Sequence, residues 1–581
     1  MHHVGPIAGV AAYGPWVASA GYDNRLILWD SATRQALARA NHDHLVNACA
    51  FSHDGRQLVS ASSDYTARIW SLPDLRLTAV LAGHGDDVDM ARFSPNDQLV
   101  ATCALDRIVR VYDATGAMRH AMPGHSGNIL SLAWIDSCRF VTSSVDGTLR
   151  EWDAISGACL RVTDLGVRSD CVEIAADGRI VAGDDAGRIV VLDASGTHFV
   201  PAHAAGIKKL VLSKSGDRLV TLGYDRALAV WDLATGDLPG EIARETMPAQ
   251  IWARAAAVCA DGTIAVGTFG GTWASFDPVT SAWDMAGVAA GEAINAIAET
   301  PHGLATIGDA GCLRIDGAPD ATMNSLCNFI AASGNRLFTG GHLGELYDAQ
   351  SGALMHRHTS PLNCGAGFMR AGQPHLAIGT YTGEILIFST GRDVNLIETL
   401  AAHANAVKSL VAGHGELMSV CANTALAWHG LEDLAERRRI PRAHTRIANA
   451  ACVLAEGDSG PAGFATVGRD RMLRLWLPDG ETAFATPHPN SVKSLASSPC
   501  GRWLASGSYG GTVALFDRAS SRFVQCRRIS KAGIAALCWH QAGAGFAAAS
   551  YDGTVHSVAL PDMALSEAAW ALGLSLGRQA A

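Results

Sequence analysis

Six histidines, His3, His42, His84, His125, His203 and His444, each stand 16 to 22 residues before a serine or threonine that itself lies four before an aspartate. The sets are His3, Ser19 and Asp23; His42, Ser60 and Asp64; His84, Thr102 and Asp106; His125, Thr142 and Asp146; His203, Thr221 and Asp225; and His444, Thr466 and Asp470. Hydroxyl, imidazole and carboxylate are the parts of a hydrolytic triad, in which the histidine takes a proton from the nucleophile and the acid orients the ring. An enzyme needs one such set. Six sets, closed six residues after the aspartate by Trp29, Trp70, Tyr112, Trp152, Trp231 and Trp476, belong instead to a repeating structural unit.

The positioning elements are legible in residues 42 to 81. An apolar-alternating run at Val46 to Phe51, a turn at Ser52 to Gly55, a second run at Gln57 to Ser62, a third ending at Trp70 and a fourth at Arg76 to Leu81 predict four short strands. A four-stranded antiparallel sheet with two apolar faces must stack on neighbours, and a ring of such sheets buries them all. The anchors of the third strands run Trp29, Trp70, Tyr112, Trp152, Leu192, Trp231, Phe276, Ile315, Tyr347, Phe388, Trp428, Trp476, Phe516 and Val558, mostly 39 to 42 residues apart.

A period near forty with this His, Ser/Thr, Asp and Trp-Asp pattern resembles the WD40-repeat family. The resemblance implies an all-β chain of four-stranded antiparallel blades and a buried structural tetrad in each intact repeat: His42, Ser60, Asp64 and Trp70; His125, Thr142, Asp146 and Trp152; His203, Thr221, Asp225 and Trp231; His444, Thr466, Asp470 and Trp476. His358, His403 and His488 occupy the same histidine slot in weaker repeats. Inner strands are expected to begin near Ile7, Val46, Val88, Ile129, Cys171, Ile207, Ile251, Ile294, Phe329, Leu362, Val407, Ile447, Val492 and Ile534, which divides into two tandem seven-bladed β-propellers, 1–290 and 291–581. The second is the more degenerate, with a last outer strand expected near Met563 to Glu567 and a short tail after it.

In the family, the rim bearing the turns between second and third strands often binds partners. The residue before each tetrad Asp, or its equivalent, gives Tyr22, Ser63, Leu105, Val145, Asp185, Tyr224 and Phe269 in the first ring and Gly308, Gly340, Tyr381, Cys421, Arg469, Tyr509 and Tyr551 in the second. Aromatic side chains and Arg on a rigid rim supply contact area at small entropic cost, so Tyr22, Tyr224, Phe269, Tyr381, Arg469, Tyr509 and Tyr551 are the candidate partner-binding residues. One residue into the inner strands, Lys208 stands beside Asn47 and Asp89, while Lys408 and Lys493 accompany Asn295 and Asn363; the three lysines are channel-mouth candidates for an acidic peptide or phosphate group.

The net charge of −10 speaks against a surface built for nucleic acid, and the basic run at 436–446 reads as a charged outer edge. No apolar stretch approaches the roughly twenty residues of a membrane helix, and the N-terminus lacks a secretion signal, which leaves the cytoplasm as the expected compartment. Fourteen scattered cysteines without a Cys-x2-Cys pair read as reduced core residues, not metal ligands. With no phosphate loop, nucleophile elbow or zinc helix in the sequence, no cofactor or metal is expected. The reading is a non-catalytic protein–protein interaction scaffold or recognition subunit of a multiprotein complex, binding other proteins or peptides. The alternatives are a substrate- or ligand-sensing subunit of an ATPase or bacterial defence complex, and a propeller enzyme with a channel-mouth site. The last needs acidic or imidazole groups converging at one mouth, where the sequence offers a mixed set.

Overall fold

The computed structural model describes residues 1–213, 215–233, 239–248, 250–288, 293–323 and 325–561. The described residues contain no helix and build thirteen four-stranded antiparallel sheets and one three-stranded sheet, each in simple meander order. The outer strand expected near Met563 to Glu567 lies outside the described residues.

Two compact units result, Met1–Ala289 and Ala290–Ala581. In the first, the inner strands Ile7–Tyr13, Val46–Phe51, Val88–Phe93, Ile129–Trp134, Ser169–Ile174, Ile207–Leu212 and Ile251–Val258 pack in succession, and the last packs back on the first. The second unit does the same with Ile294–Thr300, Cys327–Ser333, Leu362–Arg370, Val407–Gly413, Ala448–Leu454, Val492–Ser497 and Ile534–His540. Each unit is a closed ring of seven blades, numbered here 1–7 and 8–14. Closure exchanges no strand in the first ring: blade 7 supplies its own outer strand, Ala282–Asp284, and His3 and Gly271 trade backbone hydrogen bonds of 2.8 and 2.9 Å. Ile7, Val17, Ile27 and Trp29 of blade 1 then share a core with Ala255, Ala265 and Trp273 of blade 7.

Burial follows strand order. The second strand of blade 2, Gln57–Ser62, is buried along almost its whole length, whereas the outer strand of blade 4, Cys159–Asp164, is largely exposed. Apolar side chains on both faces of the middle strands thus fill the spaces between blades, where Ile69, Leu81 and Val59 of blade 2 meet Val88, Phe93 and Tyr112 of blade 3. This burial is the main stabilising term of the ring.

One local device positions the channel residues. The inner strands show a register irregularity just after the first residue, as between Val46 and Ala48, Ile207 and Lys209, and Val407 and Ser409, and in blade 7 the interruption is longer, from Ile251 to Ala256. Such a bulge takes the second residue out of the ladder and re-aims its side chain. It also shifts two expected strand starts: blade 5 begins at Ser169 instead of Cys171 and blade 9 at Cys327 instead of Phe329, while blade 12 begins at Ala448, one residue after Ile447. In blades 5 and 9 the extra residues belong to the bulge, which the apolar pattern alone does not register.

Candidate functional site

The residues most like a catalytic set are consumed by the fold. In blade 2 the His42 Nδ1–H donates to Asp64 at 2.8 Å, the Ser60 hydroxyl meets His42 Nε2 at 2.7 Å, and the Trp70 indole N–H donates to Ser60 Oγ at 2.8 Å. The same three contacts fall between 2.7 and 2.9 Å in blade 1 around His3, Ser19, Asp23 and Trp29. They recur around His125, Thr142, Asp146 and Trp152, each at 2.8 Å, and around His203, Thr221, Asp225 and Trp231 at 2.7 to 2.9 Å. In blade 12 His444, Thr466, Asp470 and Trp476 span 2.8 to 3.0 Å. The hydroxyl in each set is buried and already holds two partners, so it has no approach for a substrate.

Blade 3 departs from the sequence match. His84 Nε2 meets the Thr102 hydroxyl at 2.8 Å, but its Nδ1 turns to the Tyr65 carbonyl at 3.1 Å, while Asp106 pairs with Arg110 at 2.8 Å. Tyr112 cannot imitate the indole: its hydroxyl reaches the Ala82 carbonyl at 2.7 Å. Burial and the nearby Arg110 push the His84 imidazole down to about 4. In the second ring His403 and His488 keep the hydroxyl partner, Ser419 and Ser506, but His488 Nδ1 faces Thr512 at 2.7 Å where an acid would stand.

The rim slot has its own backbone signature. The N–H of Tyr22, Ser63, Leu105, Val145, Asp185, Tyr224 and Phe269 donates to a carbonyl just before the inner strand of its blade. Tyr381, Arg469, Tyr509 and Tyr551 make the same bond in the second ring. There the equivalents in the degenerate blades are Asp309, His342 and Ala422, donating to Ala293, Leu326 and Ala406. These correct Gly308, Gly340 and Cys421: without a tetrad Asp to count from, the sequence slot slips by one or two residues.

In the first ring the bulged second residues and the rim meet in two groups. Tyr22 packs edge-on against Trp252 at 5.0 Å, and Trp252 lies 6.0 Å from Phe269, which makes an aromatic arc across the junction of blades 7 and 1. Tyr22 and Trp252 remain partly exposed, whereas Phe269 is 6% exposed. Trp252 has no polar signature that would mark it as a channel-facing residue in the sequence. Its signal was present, since it follows Ile251 at the second place of an inner strand.

The second group is a charge network. Lys208 is paired with Asp170 and lies over the Tyr224 ring at 4.4 Å; Arg168 holds Asp185 at 2.6 Å; Arg254 reaches Asp89 on blade 3 at 3.2 Å. Three acids thus face three bases. Deeper in the channel Arg92 of blade 3 bridges to Glu173 of blade 5. Burial, with Arg168 and Arg254 next, pushes the Lys208 ammonium well below its ordinary range.

The second ring is built differently. Its bulged residues are Asn295, Asn328, Asn363, Lys408, Asn449, Lys493 and Ala535. Each of the four asparagine amides donates to the carbonyl that opens the next inner strand, at Cys327, Leu362, Val407 and Val492, over 2.6 to 3.1 Å. Asn47 does likewise to Val88 in the first ring at 2.9 Å. Lys408 Nζ lies 5.3 Å from the Tyr381 ring and Arg469 Cζ 6.0 Å from the Tyr509 ring. Of the basic run at 436–446, the outer strand Glu436–Ile440 is an exposed edge in which Arg437 pairs with Asp433 at 2.5 Å, Arg439 with Glu436, and Arg438 lies 5.1 Å from the Trp428 ring, whereas Ala443 and His444 are buried.

The model of the WD domain, G-beta repeat, matches residues 2–30, 36–71, 75–113, 116–153 and 482–517. The chain carries WD40 repeats. The WD40 matches are offset by one strand from the blades: 36–71 joins the outer strand of blade 1, Ala36–Asn41, to the first three strands of blade 2. Blades 6 and 12 keep the full WD40 tetrad outside the matched segments. Among similar proteins are a transcriptional corepressor, LEUNIG_HOMOLOG, of Arabidopsis thaliana, 24% identical over 34% of this chain and 26% of its own, and protein tipD of Dictyostelium discoideum, 27% identical over 28% and 24%. A ribosome biogenesis protein WDR12 homolog of Drosophila persimilis is 27% identical over 25% of this chain and 41% of its own. The chain thus spans less than half the length of each of these relatives.

Proposed function

We propose that this WD40 chain is a non-catalytic scaffold that binds protein partners, and that Tyr22 and Trp252, backed by the buried Phe269, form a contact surface of the first ring. The observation that carries this reading is the division of labour between polar and aromatic residues. The histidines, hydroxyls and acids that could do chemistry are spent on tetrads, while aromatic side chains stand partly exposed on a rim whose backbone is fixed by the same hydrogen bond in every blade of the ring. Large, rigid aromatic groups on a preorganised surface are the residue types that dominate interface energies. The relatives, named as a corepressor and a biogenesis factor, fit a component of a multiprotein assembly.

The test is partner capture from the native host with the full chain and with a Tyr22→Ala/Trp252→Ala variant. Phe269 is left in place because its buried ring supports the blade junction. The variant is expected to melt within about 2 °C of the parent, since partly exposed aromatics contribute little to the core, and to lose partner affinity by at least about tenfold, the loss expected of one hot spot. Unchanged capture by a normally folded variant would remove the arc from the interface.

A further inference from the structure

We propose that the cleft between blades 11 and 12 of the second ring is a binding site for a small aromatic carboxylate, its ring among Trp428, Phe464 and Trp476 and its carboxylate on Arg438. The inference goes beyond the scaffold reading and uses no residue of the first ring, so either can fail alone.

The cleft originates in a one-residue shift of an anchor. In the intact repeats the closing Trp lies ten residues after the tetrad hydroxyl and stands opposite the residue two before it, as Trp70 stands opposite Leu58 and Trp476 opposite Phe464. In blade 11 Trp428 lies nine after Ser419 and pairs with Met418, which leaves the tetrad place to His429, opposite Leu417. Successive side chains of a strand point to opposite faces. Trp70 packs back toward blade 1 with Ala18 and Leu28, whereas Trp428 is turned forward onto blade 12, against Ala448, Ala451, Phe464 and Trp476. Two indoles therefore meet at this junction, 5.9 Å apart and inclined by 70°.

Rings set at such an angle leave space between the sheets. A cavity of about 260 Å³ is lined by Trp428, Phe464, Trp476 and Leu477, with Arg438, Glu416 and His414 as its charged and polar groups. Pockets for drug-sized ligands run to roughly 300–1,000 Å³, so this one suits a single ring with a short arm. His414 is already committed: its Nε2–H donates to the Leu454 carbonyl at 3.0 Å and its ring meets Phe464 edge-on at 5.8 Å. It ties the two blades together beside the cavity.

Arg438 supplies the charge. It stands directly across from Trp428 in the outer strand, its guanidinium carbon 5.1 Å from that ring and 6.0 Å from Trp476. Its neighbours Arg437 and Arg439 are paired with Asp433 and Glu436, but among the described residues no carboxylate is paired with Arg438. A guanidinium stacked on an aromatic face keeps its N–H edge free, and that edge matches a carboxylate through two parallel charge-assisted bonds. A cationic ligand would instead compete with Arg438 for the ring faces. Glu416, two residues before Met418 and so on the same face of its strand, puts a negative charge on the far side of Trp428. One strand separates it from that of Arg438, about 10 Å across the sheet, which leaves room for one carboxylate and opposes a second.

The experiment is ligand-observed NMR titration of the full chain with 3-phenylpropanoate at neutral pH. The parent is expected to bind it, and to bind 3-phenylpropanamide, which lacks the charge, and propanoate, which lacks the ring, at least about tenfold more weakly. Arg438→Gln should weaken 3-phenylpropanoate by about tenfold. Arg437→Gln, the same charge change on the next residue of the strand, should bind like the parent, and Glu416→Gln should bind at least as tightly. Ala462→Phe, which places a ring in the cavity from its wall, should displace the ligand. Circular dichroism and melting establish that each variant is folded. Absence of binding by the parent, equal affinity for 3-phenylpropanoate and either the amide or propanoate, or equal binding by the parent and folded Arg438→Gln would overturn the site.

Discussion

Replacing Asp64 with alanine is expected to destabilise blade 2 by about 3–5 kcal/mol at pH 7, the cost of breaking a buried charged pair from one side. The carboxylate side chain is 6% exposed and pairs with Arg68 at 2.9 Å. It accepts from His42 Nδ1–H at 2.8 Å, from the Asp43 and Thr66 N–H groups at 3.1 and 3.0 Å, and from the Thr66 hydroxyl at 2.5 Å. Alanine leaves the His42 N–H and the Asp43 N–H without that acceptor, and frees the imidazole to rotate away from Ser60 and Trp70. Hydrogen exchange of Gln57–Ser62 and Ala67–Ser71 in the full chain reads this locally, with opening expected to become about two to three and a half orders of magnitude more frequent.

The sign with pH is also determined. Burial acts to raise the Asp64 carboxyl, but the His42 hydrogen bond and charge, with Thr66 and Arg68, more than offset it and hold the group far below its ordinary value of 3.8. A depressed folded-state value contributes stability above the unfolded value, and that contribution is lost as pH falls through the folded one. The difference between parent and Asp64→Ala should therefore be full at pH 7 and shrink progressively below about pH 4. Equal differences at pH 7 and pH 3 would assign the effect to packing.

What the sequence exposes and what it hides have different physical origins. The tetrad is legible because its hydrogen bonds are fixed by blade geometry, which spaces Ser60, Asp64 and Trp70 identically in copy after copy. The rim is legible wherever an Asp marks the count; in blades without that mark it still holds at Asp185, Phe269, Tyr381 and Tyr509, and slips from Gly308 to Asp309 and from Gly340 to His342. The bulge is invisible to apolar periodicity because it adds a residue without changing which side chains are apolar. Asp170, the partner of Lys208, lies in that blind spot, one residue before the apolar start at Cys171. Pairs such as Arg254 and Asp89, separated by 165 residues, depend on ring closure and have no local signature. A basic mouth inferred from single lysines therefore has different meanings in the two rings: Lys208 is matched by Asp170, while among the described residues no carboxylate is paired with Lys408 or Lys493.

Asp309 provides the opposite electrostatic case to Asp64, and its replacement is expected to stabilise the second unit. Burial pushes its carboxyl from 3.8 up to about 7, against the Asn295 hydrogen bond, which pulls it down. In the unfolded chain the group ionises near its ordinary value. Between about pH 4 and pH 7 the folded state consequently holds more of the proton, and stability falls as pH rises through that window and levels off above it. The rise of roughly three pH units corresponds to as much as about 4 kcal/mol at pH 8. Asp309→Asn keeps an oxygen to accept from the Asn295 amide 2.8 Å away and carries no charge to bury. Urea denaturation followed at the second unit should find Asp309→Asn more stable than the parent at pH 8 and indistinguishable at pH 4, with the gap opening across the intervening range. Parallel stability curves for parent and variant from pH 4 to pH 8 would mean that Asp309 ionises without strain, and that the burial of this carboxyl is relieved by solvent reaching the rim of blade 8.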